Sequence, residues 1–269
     1  MITDLFKLMI GLSIPNQKKS RWKTFVVNFR LFGVKGIFVQ PIEIYCNTKI
    51  YSIGKINIHC PLSKGILTIG KLDIKSQGCT KFANYGVIDV HGPSKIEGCC
   101  NFINKGVVIF RGNNRISDGC LINIRKSLEI GECTDIGFQS VVMDTDDHFT
   151  FDINSETIEN VSKGIILGRN NFIGCRTTIK KGTVTPDYLV VASANTLLSK
   201  DYSSLPPYSV LGGIPAKLLK SGICRIFNRK YEVKLFELFT DKDDLYKVTK
   251  EEIDVKNIET LLNRDLNIF

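Results

Sequence analysis

One stretch sets an imidazole beside three carboxylates: Met143-Asp144-Thr145-Asp146-Asp147-His148-Phe149. A neutral imidazole can take the proton of an attacking hydroxyl near neutral pH. A carboxylate on its other ring nitrogen would fix the tautomer and steady the imidazolium that forms. In extended backbone alternate side chains share a face, so Asp144, Asp146 and His148 are expected to point together, with Asp147 opposite. Asp146 is the first choice of partner. The competing reading is a solvated acidic loop, and for the aspartates the two weigh about evenly. For His148 the position between two repeat runs favours chemistry. His59 and His91 have no comparable setting and read as structural or surface residues. The three histidines stand 32 and 57 residues apart, without the close pair that a zinc site draws from one segment; metal chemistry is rejected.

The frame around that stretch is a repeat. Gly65-Ile66-Leu67-Thr68-Ile69, Gly86-Val87-Ile88-Asp89-Val90, Gly106-Val107-Val108-Ile109-Phe110 and Ser127-Leu128-Glu129-Ile130 are alike, and Leu67, Ile88, Val108 and Leu128 are 21, 20 and 20 residues apart. A period of six runs inside it. Ile130, Ile136 and Val142 follow it, as do Leu167, Ile173, Ile179, Thr185, Val191 and Leu197, Ile44, Ile50 and Ile56, and Ile116 with Ile122. Three sixes plus a corner insertion describe a coil of three short strands, with one aliphatic side chain inward per face and a small residue at the corner. Stacked coils pair in parallel at about 4.8 Å, so the stretch from Ile44 to Ile214 holds about eight coils over roughly 40 Å. The inward side chains form one continuous core. Helical spacing is absent between 60 and 200, so strands alternating with helices fit poorly, and the coils of a right-handed β-helix, the other rival, do not show a strict six. The strict six marks an all-β, left-handed parallel β-helix, an exception to the right-handed crossover rule. A short N-terminal helical arm and a C-terminal helical extension flank it.

The expected boundaries are 1–40 for an N-terminal arm and cap, 41–221 for the β-helix with a protruding loop at 143–164, and 222–269 for the extension. Met1–Pro15 reads as a short amphipathic helix, too short and too polar to span a membrane and without a basic leading segment. It is expected to pack on the body, with at most peripheral membrane contact. Thr249-Lys250-Glu251-Glu252 has a capping-box pattern, followed by Ile253, Ile258, Leu261 and Leu262 on one helical face. Caps are needed because an open β-helix end is an unpaired strand edge. Lys and Arg number 36 against 27 acids, a net charge of +9. That balance suggests an anionic partner: nucleic acid, membrane or a phosphorylated cofactor. Nucleic acid is set aside, because no recognition motif occurs and the aromatics gather at the termini. Nine cysteines, an odd number without a C-x-x-C pair, read as small apolar residues in a reducing, cytoplasmic compartment.

The hexads, with Val190-Val191-Ala192-Ser193-Ala194-Asn195-Thr196-Leu197-Leu198-Ser199-Lys200-Asp201 and Gly212-Gly213-Ile214-Pro215-Ala216-Lys217, resemble the hexapeptide-repeat acetyltransferases. That family includes galactoside, maltose and serine O-acetyltransferases and many polysaccharide-modifying enzymes. The resemblance covers residues 42–220, and its ordered series is specific where any single hexad is weak. Asn28-Phe29-Arg30 and Gln40-Pro41-Ile42 are similar to the leading segment of the polysaccharide and lipopolysaccharide branch.

The resemblance implies transfer of acetyl from acetyl-coenzyme A, with no metal, and with His148 in the looped segment as general base. It implies that the Cys175 N–H, after Phe172-Ile173-Gly174, donates to the thioester oxygen as charge develops. Cys175 then acts through its main chain and not as a nucleophile. Phe172 and Gly174 would border the pantetheine slot, though an ordinary packed Phe is nearly as good a reading. Ala192 and Ala194 would offer it backbone groups, and Ser199-Lys200 match a further contact. Lys217 and Lys220 match basic positions near the nucleotide phosphates. For one lysine alone a solvated surface role is the better reading; three at matched positions tip the balance. Relatives are homotrimers with sites between neighbouring prisms. The expected acceptor is a hydroxyl of a sugar or surface-polysaccharide precursor. An amine of an amino sugar nucleotide is the runner-up, and a non-catalytic β-helix scaffold is the reading from another class.

Overall fold

The computed structural model describes residues 18–71 and 78–239. Its larger compact unit, Ile14–Ile223, holds the coils. They form a parallel β-helix with three walls. The first wall stacks Ile42–Ile44, Leu67–Lys71, Ser94–Glu97, Asn114–Ile116, Asp135–Ile136, Phe172–Ile173, Val190–Val191 and Val210–Gly212, all parallel, and Lys217–Lys220 closes its end antiparallel. The second wall runs from Thr48–Ser52 through Thr80–Asn84, Asn101–Asn104, Leu121–Ile124, Val141–Met143 and Thr178–Lys180 to Leu197–Leu198. Lys55–Ile58, Val87–Val90, Val107–Phe110, Ser127–Ile130 and Ile165–Leu167 make the third.

The period of six is one step from wall to wall. Ile130, Ile136 and Val142 are fully buried on the third, first and second walls in turn. Stacked Phe82 and Phe102, 5.2 Å apart, fill the wide second-wall interior of the early coils. At two of the three corners a residue at positive φ recurs, and this chain uses more than glycine there. Cys99, Gly119, Gln139, Arg176 and Asn195 serve where the first wall meets the second. Asn113, Cys133, Asn170, Tyr188 and Tyr208 serve where the third meets the first.

The sequence repeat is corrected at two places. Leu67 and Ile69 lie on the first wall, in register with Ser94 and Ile96, whereas Ile88, Val108 and Leu128 lie on the third. The 21-residue step from Leu67 to Ile88 therefore joins two faces, because extra residues lengthen the early coils: Ile50 pairs with Phe82, 32 positions on. Near the other end Leu198, not Leu197, stacks inward on Ile179. Ala194 and Asn195 both take positive φ there; the corner holds one more residue, and one residue flips every side chain after it.

The helix Arg21–Val39 caps the first coil. Asn28 Nδ2 donates to the Ile42 carbonyl (2.7 Å) and its Oδ1 accepts from the Ile42 N–H (3.0 Å), while Thr24 Oγ1 accepts from the Ile44 N–H (3.1 Å). Gly33 breaks its helical geometry at φ 62°. From Cys224 the chain belongs to a separate unit, in which the helix Arg229–Leu238 starts on Asn228, whose side chain accepts from the Lys230 and Tyr231 N–H groups. Met1–Pro15 and the capping-box helix from Thr249 lie outside the described residues. No described helix is long and apolar enough to cross a membrane. None of the nine cysteines is in a disulfide. The Cys120 thiol beside it, then burial, push the Cys100 thiol far up, in keeping with an inert core residue.

Candidate active site

His148 sits where the second wall would turn into the third. After Val141–Met143 the chain leaves the coil and rejoins it at Ile165–Leu167. Two backbone bonds close the neck of this loop: Lys163 N–H to the Asp144 carbonyl (2.9 Å) and Asp146 N–H to the Val161 carbonyl (3.0 Å). Beyond it Phe151–Asp152 and Thr157–Ile158 form a small antiparallel hairpin. Phe149, Phe151, Ile153 and Ile158 are all exposed on it.

The three aspartates do not share a face with the ring. Asp144 is buried and reaches back to the previous coil, where its carboxylate accepts from the N–H groups of Arg125, Lys126 and Ser127, each at 2.7 Å. It is a corner cap. Asp146, expected to orient the imidazole, instead lies 2.8 Å from Lys180 Nζ and 2.7 Å from Lys181 Nζ. The first contact is one of charge more than of alignment, since Oδ1 has no aligned donor. Those two lysines hold the Asp146 carboxyl below its usual range. The physical reason for the difference is a turn: the His148 N–H donates to the Asp146 carbonyl at 2.7 Å, and Asp147 between them has φ 61°. This three-residue turn of the rarer positive-φ kind ends the extended alternation.

Asp147 is the residue that sequence reasoning passed over. Its carboxylate accepts from Arg125 Nε (2.6 Å) and Asn123 Nδ2 (3.0 Å), and its N–H donates to Thr145 Oγ1 (3.0 Å). The turn is thereby moored to the preceding coil, and His148 is carried outward. The imidazole is exposed, and none of the described residues is bonded to it. Asn123 and Arg125 stand 24 and 22 positions from Asp147, near one coil length, which is the only sequence signal that could have paired them.

The other expected residues gather mostly at the opposite end of the second wall. Gly174, Cys175, Ala192 and Ala194 share its corner with the first wall. Backbones touch there: a Cβ on Gly137 would lie 2.7 Å from the Cys175 nitrogen, and one on Gly174 would lie 2.6 Å from the Ser193 nitrogen. The half-buried Cys175 has its N–H on Ser193 Oγ at 3.2 Å, so a thioester oxygen would take the place of a rotatable hydroxyl. Arg176, exposed at this corner, is a positive charge the sequence reading did not single out. Phe172 is half-buried on the outer side of the first wall, between Asp135 and Val190. Lys217 and Lys220 are exposed on the closing strand, with Lys217 opposite Gly212. Ser199 and Lys200 are not with this group: they follow Leu197–Leu198 at the far end of the second wall, and Lys200 Nζ lies 5.5 Å from the Tyr202 ring.

His148 and the Cys175 N–H thus stand at opposite ends of a wall three residues wide, a separation on the order of 10 Å. His59 and His91 stack at 4.6 Å, with His59 Nε2 3.0 Å from an Asp89 oxygen, at the far edge of the third wall. Among the described residues no three His, Cys, Asp or Glu side chains are grouped to hold a metal ion.

No family model and no curated protein matches the chain. Solved structures do align with it. The polySia-specific acetyltransferase NeuO is 22% identical, covering 74% of this chain and 92% of its own, with a TM-score of 0.36. For the polysialic acid O-acetyltransferase OatWY the figures are 18%, 80%, 96% and 0.40. For a hexapeptide-repeat acetyltransferase of Vibrio cholerae, complexed with acetyl-coenzyme A, they are 18%, 81%, 84% and 0.32.

Proposed function

We propose that the chain is an acetyltransferase that moves acetyl from acetyl-coenzyme A to a hydroxyl of a sugar or surface-polysaccharide precursor by direct transfer. The observation that carries this reading is His148: an exposed imidazole, bonded to none of the described residues, on a turn moored by Asp147 at the long break in the coils. A ring so presented can take the acceptor's proton as its oxygen attacks the thioester carbon. As the C–O bond forms and the C–S bond breaks, the proton passes to the departing sulfur. The Cys175 N–H would steady the oxyanion once Ser193 yields. Arg176, Lys217 and Lys220 supply positive charge for the phosphates of acetyl-coenzyme A, the cosubstrate; the mechanism uses no metal.

Because the base and the N–H donor stand at opposite ends of one wall, a complete site needs the Cys175 corner of a second copy beside this His148. A homotrimer meets that need, and the exposed Phe149, Phe151, Ile153 and Ile158 give such a contact apolar area to bury. Subunit mixing tests the reading. His148→Ala chains and Lys217→Glu/Lys220→Glu chains are each expected to be inactive in acetyl-coenzyme A turnover over a panel of sugars. Refolded together they should regain part of the activity. No turnover with any sugar by the unmodified protein would end the proposal, and failure to complement would end its shared-site form.

A further inference from the structure

The helix Arg21–Val39 has a face that the acetyl-transfer reading does not use. Thr24, Val27 and Asn28 are buried against the first coil, and the bonds of Asn28 to Ile42 and of Thr24 to Ile44 fix which side looks out. On the outer side Trp22, Phe25, Val26 and Phe29 share one stripe at helical spacing, with Trp22 73% and Phe29 51% exposed. The Trp22, Phe25 and Phe29 rings follow one another at 6.0 and 6.3 Å, nearly parallel. Val34 and Phe38 extend the exposed apolar surface beyond Gly33. Exposed Arg21 and Arg30 flank the stripe, exposed Lys18 and Lys35 lie before and along it, and the helix contains no acid.

We propose that this face docks on an anionic lipid surface. An apolar aromatic stripe between basic side chains is the pattern of a helix that lies in the headgroup region, with rings in the acyl boundary and cations at the phosphates. The helix is not apolar enough to cross, so it rests on the bilayer. Charge decides against a second copy as occupant: a two-fold pairing sets each patch against itself, and both rims carry only positive charge. An anionic membrane offers the complementary sign to all four cations at once.

Trp22 is the only tryptophan of the chain, so its fluorescence reports on this face alone. The full-length protein is mixed with vesicles of phosphatidylcholine and phosphatidylglycerol at about 7:3, or of phosphatidylcholine alone. With the anionic vesicles we expect flotation and a blue shift of Trp22 emission, with affinity falling at least about fivefold between roughly 0.1 and 0.5 M salt. Phe25→Ser/Phe29→Ser should weaken binding on the order of tenfold or more. Arg21→Glu/Arg30→Glu should weaken it on anionic vesicles only. All four positions are exposed, so circular dichroism is expected to be unchanged. Trp22 emission indifferent to vesicles, or flotation that survives in Phe25→Ser/Phe29→Ser, would overturn the proposal. So would a concentration-dependent blue shift without lipid that tracks self-association in sedimentation, which would give the face to a second copy.

Discussion

At the Cys175 end of the second wall the chain turns within a few residues, and glycines let successive backbones touch. At the His148 end it leaves the coil between Asp144 and Gly164 and is moored by charge: Asp144 on three N–H groups, Asp147 on Arg125, Asp146 on Lys180 and Lys181. The first end is held by contact, which salt and pH barely change. The second is held by ion pairs and charged hydrogen bonds, which both change. One coil fold thus offers a fixed N–H donor at one corner and an imidazole on an adjustable turn at another.

The contrast can be broken most directly at the imidazole. His148→Ala is expected to lower turnover about 10²–10⁴-fold and to leave acetyl-coenzyme A binding by calorimetry unchanged. Turnover near that of the unmodified protein would leave the chemistry to the Cys175 corner alone. Gly174→Val should cost about 2–3 kcal/mol in urea unfolding, because its Cβ meets backbone at Val191 and Ser193. A neutral result there would show that contact does not hold that corner. Asp144→Ala should cost about 1–3 kcal/mol in the same assay, from three N–H groups left without their acceptor, and Asp144→Asn should recover part of it.

Asp147→Asn weakens the mooring without emptying it. Stability is expected to change by less than about 1 kcal/mol, as for an exposed ion pair, while turnover falls on the order of tenfold and depends less on salt than in the unmodified protein. The smallest effect is on pH. Asp146 has its carboxyl lowered by Lys180 and Lys181, so its tether is complete above the ordinary carboxylate value of about 4 and is lost as pH falls through the lowered one. Amide exchange in the loop neck should therefore speed up in acid while exchange at the Cys175 corner does not.

The fold was legible because the six-residue step is a local pattern, repeated often enough to outvote any one position. It misled where the period slipped. The lengthened early coils put Leu67 and Ile88 on different walls, and the extra residue at Ala194-Asn195 moved the inward role from Leu197 to Leu198. His148 stood out because it interrupts the pattern. The jobs of its aspartates did not, because they depend on φ at Asp147 and on partners one coil earlier or later in the stack. An alternation argument sees neither.

The Asn28 side chain makes with Ile42 the two hydrogen bonds that another strand's peptide group would make. It is a counterfeit rung at the top of the ladder. A coil end with no such stopper would present an open edge to the blunt end of the next molecule, and rungs added that way have no natural limit, so Asn28, with Thr24 on Ile44, is what keeps the stack of coils finite at this end.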